Sequence, residues 1–127
     1  MQLLGIDFGT KNIGLAKAQT DVRVVLPFGV IHVTDTSKAQ RELAQLIVRE
    51  RIDKIIVGLP FGLDGSENAN TKKIRDFISD FETQIKIPVE FISEIFSSQA
   101  GDRMGAGVSR DEKAAMIILQ DYLDRKS

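Results

Sequence analysis

Cysteine is absent from this 127-residue chain and histidine occurs once, and each scarcity removes a class of chemistry. Without cysteine there are no disulfides, zinc–thiolate centres or iron–sulfur clusters, and no thiol nucleophile. The single His32 falls within an extended run and has no second histidine to share a metal with, so a surface or strand-pairing role is expected of it. Long hydrophobic runs are missing too: none approaches the ~20 residues that span a bilayer. The opening Met1-Gln2-Leu3-Leu4-Gly5-Ile6-Asp7 lacks the basic region and small-residue cleavage site of a secretory signal. A cytoplasmic protein without a membrane partner is therefore expected.

An excess of one charge sign is also lacking. Lys and Arg number 17 against 18 acidic residues, a net of −1, whereas dedicated nucleic-acid binders usually carry a basic excess. Locally the balance tips: Lys38 to Lys54 holds five basic and three acidic residues, and Lys72-Lys73-Ile74-Arg75-Asp76 holds three against one. Solvated helix faces are the readier account of such stretches. The length suits one domain over residues 1–127, with a core large enough to need no covalent staples.

What is present is an alternation of periods. Leu3–Phe8 and Ile13–Ala18 read as strands joined by the small polar turn Gly9-Thr10-Lys11-Asn12. A third extended run covers Val22–Val33, interrupted by Pro27, which marks a bulge or a sheet edge. Strands joined by short turns pair antiparallel. Ser37-Lys38-Ala39-Gln40 resembles a capping box, with Ala39, Leu43, Leu46 and Ile47 on one helical stripe. A buried strand at Lys54–Val57 is ended by Gly58-Leu59-Pro60, and a loop at Phe61–Gly65 leads to a helix from about Glu67 to Phe81. Pro88–Ile92 reads as another buried strand. Ser109-Arg110-Asp111-Glu112 is a second capping-box match, opening a helix to about Leu123 with Ala114, Ala115, Ile118, Leu119 and Tyr122 inward. The order predicts an α/β domain: a mixed five-stranded sheet, three antiparallel N-terminal strands plus two parallel ones, with helices on both faces.

Chemistry in such a fold collects at the carboxyl ends of the parallel strands. Asp7 sits in an otherwise apolar strand between Gly5 and Gly9, and a buried carboxylate is costly unless paired. Capping the turn, or pairing with Lys11 or Lys17, is the structural alternative. Glu94 follows the last apolar strand, and Asp111 lies in the first turn of the final helix, where the helix dipole favours a carboxylate in any case. Converging on one site, the three would repel unless a cation compensates. With only oxygen donors, that cation would be Mg²⁺ or Mn²⁺, and two such ions support phosphodiester hydrolysis. The glycine-punctuated loop Gly58–Ser66 suits a phosphate but lacks the Gly-Lys-Ser/Thr of a Walker loop.

Three blocks resemble the YqgF/RuvX family. They are Gly5-Ile6-Asp7-Phe8-Gly9-Thr10-Lys11-Asn12-Ile13-Gly14; Ile56-Val57-Gly58-Leu59-Pro60 with Asp64-Gly65-Ser66; and Asp111-Glu112-Lys113-Ala114-Ala115 with Ile118-Leu119-Gln120 and Tyr122-Leu123. The resemblance covers nearly the whole chain. It implies an RNase H-like fold and a nuclease, described for the family as a Holliday junction resolvase or as the enzyme maturing the 5′ end of pre-16S rRNA. It also implies that Asp7, Glu94 and Asp111 hold the metal ions, with structured RNA or branched DNA as the partner. Thr10, Lys11 and Arg110 would contact substrate nearby, and Lys72, Lys73 and Arg75 more distantly. The chain departs from the family pattern in two places. Ser93-Glu94-Ile95-Phe96 stands where the family has an acidic residue and an arginine around the glutamate, and an arginine there could grip a phosphate bidentately. The segment Gly101–Ser109 is short and glycine-rich where the family has a longer basic stretch.

Two other classes of function share some of these features. An actin or sugar-kinase type phosphotransferase also uses a Gly-Ile-Asp-x-Gly-Thr hairpin, but it closes two domains over its nucleotide and this length supplies one. A non-catalytic binding relative would explain the altered surroundings of Glu94 but not the presence of all three carboxylates.

Overall fold

The computed structural model describes residues 1–9, 11–60, 68–94 and 107–126. Three antiparallel strands open the chain: β1 (Gln2–Phe8), β2 (Asn12–Gln19) and β3 (Val24–His32). They are followed by α1 (Thr36–Arg49), β4 (Lys54–Pro60), α2 (Ala69–Glu82), β5 (Val89–Glu94) and α3 (Arg110–Lys126). The five strands form one mixed sheet in the order β3-β2-β1-β4-β5. β1 runs antiparallel to β2 and parallel to β4, and β4 runs parallel to β5. This is the expected architecture. No helix among the described residues is long and apolar enough to cross a membrane.

Strand alternation divides the core into two layers. Leu4 and Ile6 of β1, Ile13 and Leu15 of β2, and Ile55, Val57 and Leu59 of β4 pack with the stripes of α1 and α2 (Ala39, Leu43, Ile47; Ile74, Ile78, Phe81). On the other face Leu3, Ala16, Ala18, Ile56 and Ile92 pack with Ala115, Ile118, Leu119, Tyr122 and Leu123 of α3. Small residues let α3 lie close to this face: a β-carbon on Gly5 would come within 2.5 Å of Leu119 Cγ. Gly5 and Asp7 alternate with Leu4 and Ile6, so Asp7 belongs to the α3 face.

Local details differ from the expectations in four ways. α1 is capped by Asp35, whose side chain accepts from the Ser37 N–H at 3.0 Å, because an aspartate two residues earlier reaches the orphan donor that the Ser37 motif would otherwise serve. α2 begins at Ala69 rather than at about Glu67, because Asn68 caps it in a reciprocal box with Thr71. β4 runs three residues further than expected, since the parallel ladder to β5 continues through Leu59–Ser93 and Pro60–Glu94. β5 is an edge strand, with Val89, Glu90 and Phe91 half-buried, so its apolar run packs on one neighbour rather than between two. At Pro27 both alternatives hold. β3 is the other edge strand, and its register with β2 shifts between Ala16–Pro27 and Gly14–Val30, placing an extra residue where Gly29 adopts φ +102°. The loop expected at Phe61–Gly65, and most of the segment Gly101–Ser109, lie outside the described residues.

Candidate active site

The site is built around the β1–β2 hairpin. Gly9 N–H donates to the Asn12 carbonyl at 2.8 Å, closing the turn, and a β-carbon at Gly9 would sit 2.8 Å from that same oxygen. Across the ladder Asp7 pairs with Gly14. Gly14 in turn is where the first turn of α3 touches the sheet, because a β-carbon there would overlap the Asp111 backbone carbonyl. Asp7 and Asp111, 104 positions apart in the sequence, thus meet on one face because the residue between them has no side chain.

The electrostatics reflect the meeting. Burial pushes the Asp7 carboxyl up from 3.8 to about 6, and the negative charge of Asp111 pushes in the same direction. No hydrogen bond or ion pair joins the Asp7 carboxylate to another described residue, so the expected structural alternatives, turn capping or a lysine partner, are not what hold it. Lys17 pairs instead with Glu50 at 3.7 Å, and Lys11 is exposed.

The position of Asp111 is over-determined. Ser109 and Glu112 form the expected capping box: Glu112 N–H donates to Ser109 Oγ at 3.2 Å, while Ser109 N–H and Oγ–H donate to Glu112 Oε1 at 3.3 and 2.8 Å. The other carboxylate oxygen of Glu112 accepts from the Gly29 N–H at 2.8 Å, tying the start of α3 to the bulge of β3. The hydrogen bonds to Ser109, then those from the Gly29 and Ser109 amides, hold the Glu112 carboxyl below its ordinary range against the opposing effect of burial. Asn12 Nδ2 donates to Asp111 Oδ2 at 3.5 Å, and Asn12 Oδ1 lies 2.6 Å from His32 Nδ1. Sequence reasoning missed Asn12 and Gly29. An asparagine beside a hairpin turn and a glycine two residues after a proline both read as turn chemistry, and nothing local points from Asn12 to Asp111, 99 positions on, or from Gly29 to Glu112, 83 positions on.

Glu94 is the last residue of β5, paired with Pro60. Asp7 and Glu94 therefore both belong to the carboxyl ends of parallel strands, with β4 between them. Among the described residues no group of three or more His, Asp or Glu side chains is close enough to hold an ion; the described carboxylates at this face are a pair, and the side chain of Glu94 lies outside the described set. That pair suits a hard divalent cation. Two oxygen-donor groups converge there, the Asp7 carboxyl raised to about 6 by burial and by the charge of Asp111, and no ion pair among the described residues offsets them.

Of the expected substrate contacts, Arg110 is exposed at the first position of α3 and Lys11 is exposed in the hairpin turn. Thr10 lies outside the described residues. Lys72, Lys73 and Arg75 are exposed on α2, which covers the face opposite Asp7, and the Arg75 guanidinium sits 5.6 Å from the centre of the Phe91 ring.

The chain is similar to known proteins at three levels. Solved structures share its fold: Thermus thermophilus RuvC superposes with a TM-score of 0.72 at 13% identity, covering 99% of this chain and 96% of that one. The Fowlpox virus resolvase, solved in complex with substrate Holliday junction DNA, superposes with a TM-score of 0.66 at 16% identity, covering 99% of both chains. These place the sheet and helices in the RNase H-like fold that the sequence blocks implied. Proteins named "Putative pre-16S rRNA nuclease" are closer in sequence. One from Maridesulfovibrio salexigens is 34% identical, covering 98% of this chain and 99% of its own; one from Dictyoglomus turgidum is 34% identical, covering 100% and 96%. The family model described as "RuvX: Holliday junction resolvase" matches residues 1–125. Agreement of that model and of these relatives over nearly the full length makes this chain a member of the RuvX family.

Proposed function

We propose that the protein is a metal-dependent endonuclease that hydrolyses phosphodiester bonds of structured nucleic acid, with the 5′ end of pre-16S rRNA as its substrate. The observation that carries this reading is the convergence of Asp7 and Asp111 through Gly14 at the carboxyl end of β1. Two carboxylates forced together without a described counter-charge suit a site whose cation comes from solution. The names of the relatives, pre-16S rRNA nuclease in each case, support the choice of substrate.

Asp7, Asp111 and Glu94 are the residues that would hold Mg²⁺ or Mn²⁺, two ions in all. When bound, such ions lower the pKa of water and offset the charge that develops on the leaving oxygen. The chain's own groups do the rest. Gly14 and the Ser109–Glu112 box keep the first turn of α3 against the sheet. Thr10, Lys11 and Arg110 position a phosphate beside the carboxylates, while Lys72, Lys73 and Arg75 contact the nucleic-acid backbone further off.

A second reading, cleavage of a four-way DNA junction, is favoured by the description of the family model and by the junction-bound Fowlpox virus resolvase of the same fold. One experiment separates the two. A labelled 16S precursor fragment carrying its 5′ extension and a synthetic four-way junction are incubated with the protein and Mg²⁺ or Mn²⁺, with EDTA and Asp7→Asn as controls. Metal-dependent cutting of the RNA, lost in the variant, is the expected result. Cutting of the junction alone would move the protein to recombination. Cutting of neither by folded protein would make it a binding relative, with the residues around Glu94 as the reason.

A further inference from the structure

We propose that Asn12 and His32 form a positioning relay that sets the orientation of the Asp111 carboxylate toward a divalent cation. The inference rests on the proposed nuclease reading and assigns a role to two residues that it leaves unused.

The relay is held by the backbone before any side chain is considered. Asn12 and His32 are partners across the β2–β3 ladder, and the Val33 N–H donates to the Lys11 carbonyl at 2.8 Å just beyond them. Asn12 is two residues from Gly14, so it shares the α3 face on which Asp111 rests. The side chains then connect in series: His32 Nδ1 to Asn12 Oδ1 at 2.6 Å, and Asn12 Nδ2 to Asp111 Oδ2 at 3.5 Å.

The series has one workable polarity. A carboxylate only accepts, so the amide must turn its NH₂ toward Asp111 and its oxygen toward the imidazole. That oxygen also only accepts, so the proton between Asn12 and His32 belongs to Nδ1. Reversing the amide would set its oxygen against the carboxylate with no proton between them. His32 therefore fixes the amide, and the amide occupies Oδ2 of Asp111, leaving Oδ1 as the oxygen free of it. Partners that orient a ligating carboxylate in this way typically account for 10–100-fold in metal affinity. His32 is exposed, so its replacement should leave the core intact.

The test uses the full chain. The ¹⁵N spectrum of the His32 imidazole should show the Nδ1-protonated tautomer, reverting to the commoner Nε2-protonated form in Asn12→Ala. Mn²⁺ titrated calorimetrically into Asn12→Ala and His32→Ala, each verified as folded by its amide spectrum, should bind about tenfold more weakly than into the parent protein. His32→Asn, which keeps an N–H donor near the Nδ1 position, should recover most of that loss. Saturating Mn²⁺ should restore most cleavage by Asn12→Ala but none by Asp111→Asn. An Nε2-protonated His32, or unchanged Mn²⁺ affinity in Asn12→Ala, would overturn the relay and leave the pairing of Asp7 with Asp111 standing. A parent protein that binds no Mn²⁺ would overturn the relay together with the nuclease reading beneath it.

Discussion

Gly14 meets the backbone carbonyl of Asp111 where any other residue would carry a β-carbon. The contact is backbone against backbone, so neither side can relieve a clash by changing rotamer. Gly14 is also the cross-strand partner of Asp7, which makes it the point through which the first strand and the last helix are registered. Gly14→Ala should therefore displace the first turn of α3 rather than unfold the sheet. A loss of about 1–3 kcal/mol, the range for overpacking, is expected in urea unfolding, with cleavage reduced far more than stability. Gly5→Ala meets Leu119 Cγ at 2.5 Å and the Ala115 carbonyl at 3.0 Å, near the middle of α3, and should be the less damaging to cleavage of the two because it lies further from Asp111.

Asp7 offers a pH-dependent test of the same geometry. Its carboxyl is raised from 3.8 to about 6 in the folded protein, so the folded state binds the proton more tightly than the unfolded chain does. Ionised Asp7 therefore opposes folding above about pH 6, and the penalty shrinks as pH falls from 6 to 3.8 and vanishes below. The shift corresponds to roughly 3 kcal/mol as an upper figure, at 1.36 kcal/mol per pH unit. Asp7→Asn should raise the melting temperature at pH 8 and abolish cleavage there, and leave the melting temperature nearly unchanged at pH 3.5. Destabilisation at pH 8 would mean that the carboxylate holds the fold together rather than serving a site.

Divalent cations should offset that penalty. An ion that binds only the folded protein stabilises it by about 1.4 kcal/mol at ten times its dissociation constant. Mg²⁺ or Mn²⁺ should thus raise the melting temperature of the parent protein at pH 8, EDTA should remove the gain, and Asp7→Asn and Asp111→Asn should each show little of it. An equal gain in all three proteins would locate the ion elsewhere.

The architecture was legible in the sequence because each element announced its period. Leu4 and Ile6 alternate with Gly5 and Asp7, while Ile74, Ile78 and Phe81 recur at helical spacing, and the two patterns meet in one core layer. The Ser109–Glu112 box was legible for the same reason, since its two partners are three residues apart. What sequence could not supply was anything depending on long-range approach. Gly14 reads as one glycine among ten until α3 is laid across it. His32 reads as a lone strand residue until the β2–β3 register sets Asn12 beside it. Asp35 displaced Ser37 as the cap of α1 because two capping residues stood within one turn, and only the backbone at the helix start decides between them.

Glu112 joins α3 to β3, and its removal tests how far catalysis depends on that cap. Its carboxylate accepts from Ser109 N–H, Ser109 Oγ–H and Gly29 N–H. Glu112→Ala should cost about 1–2 kcal/mol, the range for a lost cap and an amide left without its partner. Because the folded carboxyl is held below 4.5, its contribution is present above that pH and fades as the pH falls below it. The stability difference between Glu112→Ala and the parent should accordingly be full at pH 7 and narrow below pH 4.5. Cleavage should fall together with stability, since Asp111 is the preceding residue.

Salt dependence tests whether nucleic acid wraps from the carboxylate face to α2. Lys72 and Lys73 are exposed on the helix that covers the opposite face of the sheet, so their contribution should be to binding rather than to the bond-breaking step. Each phosphate contact contributes about 0.7–0.9 to the slope of log affinity against log salt. A Lys72→Ala/Lys73→Ala double variant should lower the slope for the precursor RNA by about 1.5 and raise KM, with kcat near that of the parent. The 17 basic residues are offset by 18 acidic ones, so the slope rests on local basic groups such as this lysine pair rather than on a general positive charge. An unchanged slope would confine the nucleic acid to the α3 face, which carries Arg110 at the first position of α3.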